Sequence, residues 1–188
     1  MGSLRHGGWD RWPGPKLVVE DPGDHGQAQT FFAALRAAAA CPGFTALTLF
    51  EDDVVVAKNM LDYVSTFELV DDLALVSWFC RRRPYAQVTT PHLEVENAHS
   101  FAYNQATTMS ASTVVTLLAS DQIRRWPTKH GADTLIGKAM RKSKVAYHFP
   151  NLVDHIGGGR SVVGSVGLQR SSTFVGEDFD VMKLVGSS

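Results

Sequence analysis

LTLFEDDVVVAKNMLDYV, residues 47–64, holds the reading that decides the fold. An apolar run from Phe44 to Phe50 ends in three consecutive acids, Glu51, Asp52 and Asp53, and apolar text resumes at Val54. Residues 44–50 read as a strand buried on both faces, and residues 57–67 as a helix with Met60, Leu61 and Val64 on one side. Three adjacent carboxylates repel one another unless a cation or hydrogen-bond donors compensate. Along a strand's end, neighbouring side chains alternate, so Glu51 and Asp53 share a side and Asp52 does not. The plain alternative is a solvated strand-to-helix loop, with acids favoured near a helix N-terminus.

Outward from this stretch, further elements alternate. Lys16–Glu20 reads as a short buried strand, and Asp21-Pro22-Gly23-Asp24 as the turn that ends it. Residues 26–41 are rich in helix formers and stop at Pro42-Gly43, which predicts a helix. Residues 73–80 read as a third buried strand, broken by Arg81-Arg82-Arg83-Pro84. Short strands and loops are expected over 85–109. A helix follows from Ser110 to Ser120 with Ser110 as its N-cap. Another runs over 134–141 with Asp133 at or near its start, and Lys144–Phe149 reads as a strand. Strands alternating with helices predict an α/β layered sheet. In such sheets ligands bind outside the carboxyl ends of the strands, which is where the three acids lie.

The 188 residues suit a single domain over 1–188, with a loose tail from about 165. A net charge of −1 argues against a broad nucleic-acid-binding field. No stretch approaches the roughly 20 apolar residues a bilayer-crossing helix needs, and the first residues hold no apolar signal core. Cys41 and Cys80 sit in apolar text without metal-ligand spacing, which reads as small buried hydrophobes in a reducing, cytoplasmic setting, with a disulfide as the alternative.

The segment LTLFEDDVVVAKNMLDYV resembles the metal-motif region of GT-A-fold glycosyltransferases, closest to inverting N-acetylglucosaminyltransferase-like and lipopolysaccharide-type enzymes. There a hydrophobic strand precedes a DXD-type triplet, often EDD, and a helix follows. The likeness continues in order through DHGQAQTFFAALRAAAA (24–40), FAYNQATTMSAS (101–112), HGADTLIGKAM (130–140) and FPNLVDHIGGGRSVVG (149–164). It covers roughly residues 16–165. It implies a Rossmann-like mixed sheet flanked by helices, N-terminally abbreviated, because residues 3–22 resemble text that follows the first nucleotide-binding strand. An exposed sheet edge would then invite a second copy or another chain to complete the sheet.

The resemblance also implies chemistry: transfer of a sugar from a nucleotide-sugar donor, a UDP-sugar first, to a hydroxyl acceptor with inversion. By position, Asp53 and His155 would hold Mn²⁺ or Mg²⁺, and Glu51 and Asp52 would lie at the nucleotide. Asp133 would act as general base. Arg160 would lie near the diphosphate, as would Lys138, neither with a motif behind it. Each has a plain counterpart. Asp133 is also a helix cap, His155 a loop histidine, Gly157-Gly158-Gly159 a loose loop and Arg81-Arg82-Arg83 a solvated charge run. Trp78 reads as core, and Trp126 as core or a sugar-stacking face. His99, Tyr103, Asn104 and Gln105 form a polar and aromatic cluster that would line an acceptor pocket. Two other classes compete with the transferase reading. One is a non-catalytic or degenerate module of the same fold that binds a partner or glycan. The other is a metal-dependent phosphohydrolase, for which His92, His99, His130 and His148 show no second-ion spacing.

Overall fold

The structure is a computed structural model, and it describes residues 2–20, 26–69, 72–81, 90–125, 131–156 and 170–185. The chain is mixed α/β. A five-stranded mixed sheet is built from β1 (Ala46–Phe50), β3 (Leu73–Ser77), β4 (His92–Asn97), β5 (Ala106–Ser110) and β6 (Lys144–Phe149), in the order β1-β5-β3-β6-β4. Only β3 and β6 run parallel, and the other three pairings are antiparallel. A second, two-stranded sheet pairs β2 (Val54–Val56) with β7 (Val153–His155). Helices α1 (Gly2–His6), α2 (Gln27–Ala39), α3 (Met60–Ser65), α4 (Ala111–Ala119), α5 (Asp121–Arg125) and α6 (Ala132–Ala139), with three short 3-10 helices (Trp9–Arg11, Ala98–Ser100 and Val181–Leu184), complete the described elements.

Two apolar cores follow from alternation along β3 and β6. Leu75, Val145 and Tyr147 join Phe31, Phe32, Leu35, Val114, Leu117, Leu135 and Ile136 of α2, α4 and α6. Val76 and Ala146 point the other way, onto Val54, Val56, Met60, Val64, Trp78 and Val153. Every residue of β3 is buried, as its unbroken apolar text predicts for a strand covered on both faces. Ser110 caps α4, its Oγ accepting from the Thr113 N–H at 3.2 Å.

Several expectations need correction. Lys16–Glu20 is not a buried strand. It has no regular structure, and Leu17 and Val18 are 45% and 61% exposed. β1 is buried on neither face as fully as expected, because it lies at the sheet's edge and its residues are half-buried or exposed. The helix expected over 57–67 shrinks to α3, Met60–Ser65. Asn59 just before it takes φ 59°, a left-handed conformation that Asn tolerates, and Val54–Val56 is spent on β2. Cys41 is only half-buried, whereas Cys80 is buried, and both are free thiols. The tail expected to be loose is pinned over 170–185. Lys58 N–H donates to Glu177 O and Val181 N–H donates to Lys58 O, while Phe174, Phe179 and Val181 pack on the second core. The 21–24 turn, Arg82, Arg83, Trp126, Gly157–Gly159 and Arg160 lie outside the described residues. No described helix is long and apolar enough to cross a membrane.

Candidate functional site

β1 delivers Glu51 to the sheet's end, where the Glu51 N–H still donates to Gln105 O at 2.9 Å. Asp52 and Asp53 form the turn into β2. Asp52 is exposed, while Glu51 and Asp53 are half-buried.

Two elements converge on Glu51. Gln27, the first residue of α2, and Asn104, buried just before β5, both donate side-chain N–H groups to Glu51 Oε1. Glu51 Oε2 has no hydrogen-bond partner among the described residues. Desolvation is the main reason the Glu51 carboxyl is raised to about 7, and the nearby charges of Asp53, Asp133 and Asp52 push the same way against the Gln27 hydrogen bond. Asp133, on the first turn of α6, therefore belongs to the same electrostatic neighbourhood. Its Oδ1 accepts from the Thr134 N–H at 2.6 Å, and the N-cap residue of α6 is Gly131 rather than Asp133. A Cβ at Gly131 would sit 2.8 Å from Asp133 Oδ1 and 3.8 Å from Gln27 Oε1, so a side chain there would displace the Asp133 carboxylate. Gly137 sets α6 close to the sheet's flank, since a Cβ there would meet the Ala98 carbonyl oxygen at 2.8 Å.

The second half of the site is the β2–β7 sheet. Ile156 N–H donates to Asp53 O at 2.8 Å, which holds the acid turn against β7. Asp53 Oδ2 and His155 Nε2 are 2.8 Å apart. Their other polar atoms, Asp53 Oδ1 and His155 Nδ1, are buried without a hydrogen-bond partner among the described residues, as is Gln105 Oε1. Buried polar atoms are normally satisfied, so the orphans on the paired Asp53 and His155 call for a reason; His6 Nε2 and Thr107 Oγ1, elsewhere in the chain, also lack a hydrogen bond among the described residues. The Phe79 ring lies 6.4 Å from the His155 ring and 5.8 Å from the Tyr103 ring, giving the site an aromatic wall.

The residue on the far side of β7 does different work. Asp154 is buried, accepts from the Ser171 N–H at 2.7 Å and pairs with Arg170 at 2.9 Å. That contact ties residues 170–171 behind β7.

Asp53 is thus in contact with His155, and Asp53 and Asp133 lie within electrostatic reach of Glu51. Asp52 sits on the rim of the turn. Gln27 was not anticipated, because a neutral amide 24 residues from its partner leaves no charge or spacing signal. Asn104, expected in an acceptor pocket, contacts the acid triplet itself. No group of three or more His, Cys, Asp or Glu that could hold a metal ion is present among the described residues. Carboxylate and imidazole are donors that suit Mn²⁺, but Asp53 Oδ2 and His155 Nε2 are engaged with each other and the orphaned His155 Nδ1 lies on the opposite side of the ring, so a cation shared by the two residues would have to replace that contact. Hard cations of this kind are commonly held by one or two protein groups, with substrate phosphates and water completing the shell.

Comparison with models of known protein families finds no match, and neither does comparison with curated proteins.

Proposed function

We propose that the chain is a metal-dependent glycosyltransferase that moves a sugar from a nucleotide-sugar donor to a hydroxyl acceptor. The observation that supports this reading is the Asp53–His155 contact at the carboxyl end of β1, with Asp53 and Asp133 in electrostatic reach of Glu51 and orphaned buried atoms on Asp53 and His155. A two-ligand protein site suits a cation that arrives with, and is completed by, a diphosphate. Asp53 and His155 would hold that Mn²⁺ or Mg²⁺, and its charge would offset the charge growing on the departing diphosphate.

The chain's own groups divide the remaining work. Asp133 accepts the proton of the acceptor hydroxyl as the new C–O bond forms at the anomeric carbon. The bond to the diphosphate oxygen breaks with its electron pair on the leaving group. Gln27 and Asn104 fix the Glu51 carboxyl by one oxygen and leave the other for the nucleotide. Asp52, exposed on the turn, lies at the nucleotide's edge, and Arg160 is assigned to the diphosphate by its charge alone.

One observation favours the second reading, a non-catalytic module of the same architecture that binds a partner or glycan. Asp53 and His155 already bond to each other and so clip the acid turn to β7 without any ligand.

Titration calorimetry with UDP and then GDP, with and without Mn²⁺, separates the two. The transferase reading expects metal-dependent nucleotide binding that disappears in Asp53→Ala. A folded protein that binds neither nucleotide in Mn²⁺ would reject the donor site and leave the module.

A further inference from the structure

Two parts of this chain each lack what the other supplies. β1 pairs with β5 alone, in a regular five-residue register. Thr45 O accepts from Ala111 N–H at 2.8 Å and Glu51 N–H donates to Gln105 O at 2.9 Å, so the odd-numbered residues point their backbone groups at β5. By alternation, Ala46, Thr48 and Phe50 point theirs at the open edge. Those groups have no partner among the described residues. Edge strands are normally guarded by charge, proline or a bulge. The opposite edge follows that rule, because β4 carries Glu94 and Glu96. β1, Ala-Leu-Thr-Leu-Phe, carries none of these devices.

The other part is Lys16-Leu17-Val18-Val19-Glu20. Its residues favour a strand, yet it runs along the surface with Leu17 and Val18 exposed and makes no hydrogen bond among the described residues. Its apolar side chains would fall on both faces of a ladder, which suits a strand flanked by covering layers. Its ends are charged with opposite sign. Laid antiparallel on β1, Lys16 comes beside the Glu51-Asp52-Asp53 turn and Glu20 falls at the uncharged Thr45 end. Laid parallel, Glu20 would meet the three acids, so charge complementarity selects the antiparallel arrangement.

We infer that Lys16–Glu20 of a second copy adds antiparallel to the open edge of β1, extending the sheet and bringing Lys16 of that copy to the acid turn. Reciprocal exchange of the two segments closes a two-fold dimer. The arrangement follows from the sheet edge and the charges alone and does not depend on what the acid cluster binds.

The test is solution mass by sedimentation over a range of concentrations, combined with amide hydrogen exchange, on the full chain and on Val18→Pro and Lys16→Glu. Proline at 18 removes a ladder donor from a segment that bonds to nothing in the single chain, so folding is untouched. The wild type is expected to dimerise, with the Thr48 and Phe50 amides protected at least about tenfold relative to the monomer. Val18→Pro is expected to be monomeric and to lose that protection, and Lys16→Glu to weaken the dimer. A wild type that stays monomeric with unprotected amides overturns the proposal. So does a dimer unchanged by Val18→Pro, which would place the interface elsewhere. Protected amides in a monomer would mean that the segment folds back on its own chain, and would overturn the exchange as well.

Discussion

Two polar clusters sit on this sheet, and they are built on opposite principles. Around His148, every atom is served. Its Nε2 meets the Tyr63 hydroxyl at 2.9 Å and its Nδ1 meets Pro150 O at 2.8 Å, while the rings of Trp78, Tyr63 and Phe67 close around it. Burial depresses His148 to about 4, so it is neutral. At the end of β1 the account does not close. Glu51 is crowded by three other carboxyls, and Asp53, His155 and Gln105 each keep an unpaired buried atom. A satisfied polar cluster specifies packing, whereas an unsatisfied one is stable only because something else is meant to complete it. The first cluster belongs to the fold, and the second is the one the proposed function uses.

The largest expected effect falls on the satisfied cluster. His148→Ala empties a fully enclosed site and strands the Tyr63 hydroxyl and the Pro150 carbonyl. It should cost about 3 kcal/mol in urea unfolding. Nucleotide or metal binding by the folded fraction should be unchanged. A loss of binding without a loss of stability would erase the distinction between the clusters.

The next effect has the opposite sign. In the fold Glu51 holds its proton to about pH 7 against an ordinary value of 4.5. The native state therefore binds that proton more tightly than the unfolded chain. The stability it contributes is present below about pH 4.5 and is lost as pH rises through about 7. Glu51→Gln keeps the oxygen that Gln27 and Asn104 bind and removes the titration. At pH 8 it should stabilise the protein by on the order of 3 kcal/mol, with little difference at pH 4.5. His148 runs the other way. Its contribution is present above about pH 6.5 and lost as pH falls through about 4. Chemical denaturation across this pH range measures both, and a Glu51→Gln curve parallel to the wild type would show that Glu51 is not strained by its neighbours.

The sequence discloses these regions unequally. α2 shows through its helix formers and its Pro-Gly stop, β3 through an unbroken apolar run, and α4 through Ser110. Each is a local signal for local structure. Lys16–Glu20 misleads because strand preference measures fitness for a half-buried ladder, and a ladder needs a partner that the text cannot supply. β2 and β7, at three residues each, are too short to show a period. The acids are legible because adjacent charge in apolar text is rare. Gln27 is not, since an uncharged amide shows its purpose only once folding sets it against Glu51. The Tyr63–His148 pair is silent for the same reason, its partners lying 85 residues apart.

The most direct measurement of the central claim is proton NMR of the histidine ring signals during titration with Mn²⁺ in the presence of UDP. Paramagnetic broadening reports which imidazole lies beside the ion. An ion held by Asp53 and His155 should make the His155 signals vanish first while those of His148 persist. The same titration of Asp53→Ala should leave His155 sharp. If His155 keeps its line width while Mn²⁺ is bound, or if no histidine responds at all, the unsatisfied cluster at the end of β1 is not a metal site.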